Sequence, residues 1–145
     1  MKKILNFVIL IFVYLCISNI AVAQINQKRL YQTWKPTSLE LADKTATQDK
    51  KDFANKMSVQ MKFQFVNQNE LEIFVPMIEK STIYNWKFLD ADKTIIEAIE
   101  KNPTFVESPV KWLLKIKKLN KKELILEDLA DEKRGNIWNL VPFKK

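Results

Sequence analysis

The sequence predicts an all-β domain of about eight antiparallel strands, a barrel or a sandwich, behind an N-terminal leader. Three observations carry this. Apolar and polar residues alternate over repeated short runs, the period of a half-buried strand. Short turns rich in Asn, Asp and Lys separate the runs, a spacing typical of sandwiches and barrels. No stretch alternates strands with long amphipathic helices, so a parallel α/β sheet is not expected.

The leader comes first. Lys2 and Lys3 precede an apolar run from Ile4 to Ile17, broken only by Asn6, and Ala21-Val22-Ala23 follows. Charged, apolar and cleavable parts in that order are the pattern of a secretory signal peptide, residues 1–23. The A-x-A form favours cleavage after Ala23 over a retained anchor, so no stable membrane span is expected afterwards. Leu15 before Cys16 disfavours lipidation, because acylated cysteines follow small residues. The expected product is exported, periplasmic or secreted. Residues 24–145 then form one domain with one core. Cleavage removes two lysines, lowering the net charge of +7 by two, and the only cysteine, Cys16. No disulfide framework is available, so the core must hold by burial.

Gln24 to Tyr31 is a polar lead-in with a short helical turn. The first strand runs from Leu30-Tyr31-Gln32-Thr33-Trp34-Lys35-Pro36 to about Leu41. Asp43–Lys56 lacks an apolar period and reads as a long loop or a short surface helix. From Met57 the period becomes two, with Val59, Met61, Phe63 and Phe65 on one face of a second strand. Asn67-Gln68-Asn69 turns into a third strand carrying Leu71, Ile73 and Val75, which Pro76 ends for lack of an amide donor. Ser81–Leu89 is the fourth strand, with Tyr84, Trp86 and Phe88 on one face. Asp90–Lys93 turns into Thr94–Glu97, the fifth. Glu100–Pro109 is irregular. Val110, Trp112, Leu114 and Ile116 then alternate with lysines in the sixth strand, the clearest in the chain. Asn120–Lys122 leads into Leu124–Leu126, Asp128–Gly135 is a turn region, and Ile137–Phe143 closes the set with Trp138 and Leu140 on one face. With Gly135 the only glycine, other turns needing positive φ are expected to use Asn or Asp.

Composition excludes much chemistry. The chain has no histidine, and the part after the leader has no cysteine. Ser-His and Cys-His nucleophiles and ordinary zinc sites are therefore absent, and one glycine cannot build a phosphate loop. The chain reads as a non-enzyme without a cofactor or metal. Asp90, Asp92 and Thr94 hint at calcium, but the turn is too short for an EF-hand loop and reads as a hairpin. Lys111, Lys115, Lys117, Lys118, Lys121 and Lys122 form a basic stripe of the kind that binds nucleic acid or anionic lipid. Export argues against nucleic acid, and alternation with core residues favours an ordinary solvated face.

Three motifs carry a resemblance to the small lipocalin-like domains of exported bacterial proteins. Leu30-Tyr31-Gln32-Thr33-Trp34-Lys35 resembles their first-strand tryptophan motif, with Gln32 where a glycine is usual. Tyr84–Phe88 with Asp90–Ile95 is similar to their central hairpin, and Trp112–Leu119 with Glu123–Leu126 to their late hairpin. The resemblance implies an up-and-down antiparallel barrel of about eight strands with an apolar ligand cavity. It also implies a basic residue over the motif tryptophan, and Arg134 and Lys144 are the two candidates.

Two functions follow as expectations. In the first, the barrel holds a small apolar ligand lined by Trp34, Phe63, Phe65, Tyr84, Trp86, Trp112 and Trp138. An eight-stranded barrel is just wide enough for one small ligand, or is filled by its own side chains. In the second, the barrel is a filled scaffold. Its loops Asp43–Lys56 and Glu100–Pro109 then contact or inhibit another envelope or secreted protein.

Overall fold

The computed structural model describes residues 25–103, 109–130 and 134–144. The predicted leader 1–23, and Phe105 in the irregular stretch, lie outside the described residues. Eight strands are present: β1 (Thr33–Glu40), β2 (Lys62–Phe65), β3 (Glu70–Val75), β4 (Lys80–Phe88), β5 (Ile95–Glu100), β6 (Lys111–Leu119), β7 (Leu124–Asp128) and β8 (Ile137–Pro142). Each pairs antiparallel with the next, and β8 returns to pair with β1, so the sheet closes as an up-and-down barrel.

Alternation decides what points inward. On β6, Trp112, Leu114 and Ile116 are buried while Lys111 and Lys117 are exposed; on β8, Trp138 and Leu140 are buried and Val141 faces water. A one-residue slip would turn each such set outward, so burial fixes the register.

The closure at β1 is uneven. β1 pairs with β8 along its whole length but with β2 only at Thr33↔Gln64 and Trp34↔Phe63. Pro36 explains this. It has no amide to donate, and the β8 register shifts between Pro36 and Ser38, the mark of a bulge. Above that point helix α1 (Gln48–Ser58) takes the place of β2: the Leu39 amide donates to the Asn55 side chain at 2.9 Å. Thr47 caps α1 by accepting from the Lys50 amide, with Asp49 in the first turn and Lys56 in the last, as the helix dipole favours.

This helix corrects the predicted start of the second strand. Met57 and Ser58 are helical, Val59 caps the helix, and the strand begins at Lys62. The alternation of Met57, Val59 and Met61 is too short to outweigh a capped helix whose Asn55 carbonyl accepts from both the Val59 amide and the Ser58 hydroxyl.

The barrel has two unlike ends. At the base lie the lead-in segment and the β2–β3, β4–β5 and β6–β7 turns. At the helix end lie α1 and the β3–β4, β5–β6 and β7–β8 connections. The lead-in folds across the base as a 3-10 turn, Gln27–Arg29, which carries the fully buried Leu30 under the core.

Turn chemistry differs from expectation in one respect. The non-glycine residues in the left-handed region are Glu79 (φ 48°) and Lys93 (φ 57°), not Asn or Asp. At Lys93 the aspartate stands three residues earlier and organises the turn with its side chain. Asp90 accepts from the Thr94 hydroxyl at 2.6 Å, the Ile95 amide at 2.7 Å and the Thr94 amide at 2.9 Å. Burial pushes its carboxyl up, but these bonds outweigh that and leave it below the ordinary carboxylate range. Asp90→Ala should therefore cost about 2 kcal/mol at neutral pH by urea denaturation. The stabilisation is full above the unfolded pKa and is lost as pH falls through the lower folded value, so wild type and variant should begin to converge near about pH 4 and meet only at more acid pH. A difference that persists at low pH contradicts this.

Candidate functional site

All seven residues picked out by the sequence belong to one buried cluster. The structure sorts most of them into two groups with different hydrogen bonding. Toward the base, the Trp34 indole donates to the Leu30 carbonyl at 3.1 Å and the Trp86 indole to the Asn67 carbonyl at 3.0 Å. Phe65 packs edge-on against Trp86, and Phe88 against its other side, both at 5.2 Å between centroids. Both indole donors are satisfied, and both tie a base segment to the core.

The second group is Trp112, Trp138 and Tyr84, with Phe63 packed against both indoles. Phe63 lies 6.0 Å from Trp112 and 5.5 Å from Trp138, and the two indoles are 6.1 Å apart, all in edge contacts. Trp112 and Trp138 sit near the first residues of β6 and β8, toward the helix end. The Tyr84 hydroxyl meets the Trp112 indole and the Thr82 hydroxyl. Burial, aided by the Glu100 charge, pushes this phenol above its ordinary pKa, so it stays neutral. Trp138 is different. Its side chain is only 5% exposed, and its indole N–H has no acceptor among the described residues.

Above this group the helix end carries a groove of about 720 Å³, lined by Ile78, Lys80, Thr82, Ile83, Glu100 and Asn102 among others. It exists because β4 runs past the end of β5: Tyr84 pairs with Glu100, the last residue of β5, and the Ile83 carbonyl accepts from the Lys101 amide at 2.9 Å, leaving Lys80–Thr82 overhanging. Thr82 in the groove wall also bonds the Tyr84 hydroxyl, which links the groove to the second group through that one contact. The groove residues were not among the expected site residues. Lys80 and Thr82 share the parity of Tyr84 and Trp86, and extending that face backward along β4 finds them.

Other candidates resolve simply. The strand lysines of the basic stripe are largely paired: Lys111 and Lys87 flank Glu97, Lys117 meets Glu127 at 3.2 Å and Lys118 meets Glu123 at 2.7 Å. The hydrogen bond from Lys111 does most to hold the Glu97 carboxyl below its usual range. Asp90 is bonded into its own turn, and among the described residues no group of three His, Cys, Asp or Glu side chains could hold a metal ion. Arg134 lies beside Leu41, Ala42 and Asp43, past the far end of β1 from Trp34. Lys144 follows Phe143, whose amide bonds the Thr33 carbonyl, at the Trp34 end. Of the two basic residues, only Lys144 lies near the motif tryptophan. No helix among the described residues is long and apolar enough to cross a membrane.

Comparison with family models, curated proteins and solved structures finds no match to this chain.

Proposed function

We propose that the chain is an exported binding protein, and that its barrel takes one small, mostly apolar molecule bearing a hydrogen-bond acceptor. The molecule enters by the groove at the helix end and reaches the Tyr84–Trp112–Trp138 group. The observation that carries this is the unanswered indole N–H of Trp138. A buried donor without an acceptor costs about 1–3 kcal/mol, which an arriving acceptor recovers. The base offers no such position, because both of its indoles are bonded to carbonyls. The ring contacts around Phe63 limit the ligand to a small one. Export rests on the leader, and the lipocalin-like resemblance agrees with the barrel and with a ligand at one end.

The same ring contacts favour a second reading, a filled scaffold that binds a protein through its helix end. Met77 and Ile78 stand there 71% and 57% exposed on the β3–β4 connection. The two readings separate on Trp138→Phe. Loss of the orphaned donor offsets most of the lost ring area, so the variant should stay within about 1.5 kcal/mol of wild type in urea denaturation. Its affinity for 1-anilinonaphthalene-8-sulfonate, an apolar probe with an acceptor, should fall about ten-fold from a single saturable site. Absence of saturable probe binding to the wild type favours the scaffold.

A further inference from the structure

We propose that the base of the barrel is a docking surface for an anionic lipid bilayer. Three exposed apolar side chains stand at this end, each on a different segment: Tyr31, Val66 and Leu89. At the same end stand Lys28 and Arg29 of the lead-in, Lys93 of the β4–β5 turn, Lys121 and Lys122 of the β6–β7 turn, and Lys144 after β8. Acids do not balance them. In these turns Asp90 is consumed by its own hydrogen bonds and Glu123 pairs with Lys118, leaving Asp92 exposed. At the helix end, by contrast, the signs are mixed: Lys44, Lys50 and Lys51 lie among Asp43, Asp49 and Asp52.

Two arguments name the occupant. Apolar tips at one end with lysine and arginine suit the interface of an anionic membrane, where the apolar side chains enter the headgroup region and the cations meet phosphate. The chain preceding Ile25 also joins the barrel here, since the lead-in crosses the base and the Lys93 ammonium reaches Gln27 at 3.5 Å. The leader, with its apolar run Ile4–Ile17, joins the chain at this end until it is cleaved, so this end faces the bilayer during export. The helix-end groove then faces away from the bilayer and stays open. This proposal does not depend on the ligand reading.

Residues Gln24–Lys145 contain every member of the core cluster, so the test uses that chain, with its fold checked by circular dichroism. Co-sedimentation with phosphatidylcholine vesicles is compared with and without phosphatidylglycerol. Binding is expected only with phosphatidylglycerol, and should weaken as salt rises. Each of Lys121→Gln and Lys122→Gln should lower the partition coefficient about five-fold. Leu89→Asn should lower it further, while Lys50→Gln with Lys51→Gln at the helix end leaves it unchanged. Equal binding to both vesicle types overturns the proposal, as does equal loss from the helix-end variant. Binding to duplex DNA that matches the vesicles in affinity and ignores Leu89→Asn also overturns it.

Discussion

Trp34→Ala should lower the unfolding free energy by about 4 kcal/mol, one of the two largest single effects expected in this chain. The side chain is fully buried, and its truncation removes more ring area than the surrounding strands can close over. It also removes the donor that answers the Leu30 carbonyl. Leu30 is itself fully buried, so the lead-in should loosen with it. Trp34→Phe keeps most of the area and loses only the hydrogen bond, so it should cost about 1–2 kcal/mol. Urea denaturation followed by far-ultraviolet circular dichroism measures both. A Trp34→Ala cost no greater than that of Trp34→Phe would mean that the lead-in does not seal the base.

Phe63→Ala should cost about 3–5 kcal/mol and should also erase most of the near-ultraviolet signal. Phe63 has no exposed surface and packs edge-on against both Trp112 and Trp138, which also touch each other. Removing it leaves a gap beside two rings in the core. The near-ultraviolet signal depends on fixed indole orientations, and these two lose their common neighbour. Phe53→Ala on the outer face of α1 is the contrast. Its ring is 62% exposed, and the change should stay within about 0.5 kcal/mol.

Strand placement was legible because a side-chain period of two needs only local sequence. Tyr84 with Trp86, Trp112 with Leu114, and Trp138 with Leu140 all fall on the face that their alternation assigns. The same period misled at Met57, where three alternating apolar residues lie in and just beyond a capped helix. Closure of β8 onto β1 is a pairing of residues about a hundred positions apart, which no local pattern reports. Positive φ at Glu79 and Lys93 was also hidden, because neighbours rather than the residues' own preferences impose it.

The candidate site was legible in membership but not in function. Its residues are inward and aromatic, which the sequence shows. What separates Trp138 from Trp34 and Trp86 is where each indole N–H points, and that depends on distant carbonyls. Asn67 lies nineteen residues from Trp86, and nothing in either segment announces the bond. The groove likewise arises from the overhang of β4 past β5, a matter of register.

The four tryptophans allow one direct test of the ligand reading. In a nitrogen-15-labelled sample each indole N–H gives its own resonance, and the protein is titrated with 1-anilinonaphthalene-8-sulfonate. The Trp138 resonance should move most and downfield, as its proton gains an acceptor, with Trp112 next. Trp34 and Trp86, bonded to carbonyls toward the base, should stay in place. Four stationary indole resonances at saturating probe, or larger shifts for Trp34 and Trp86 than for Trp138, would contradict a ligand site at the helix end of the barrel.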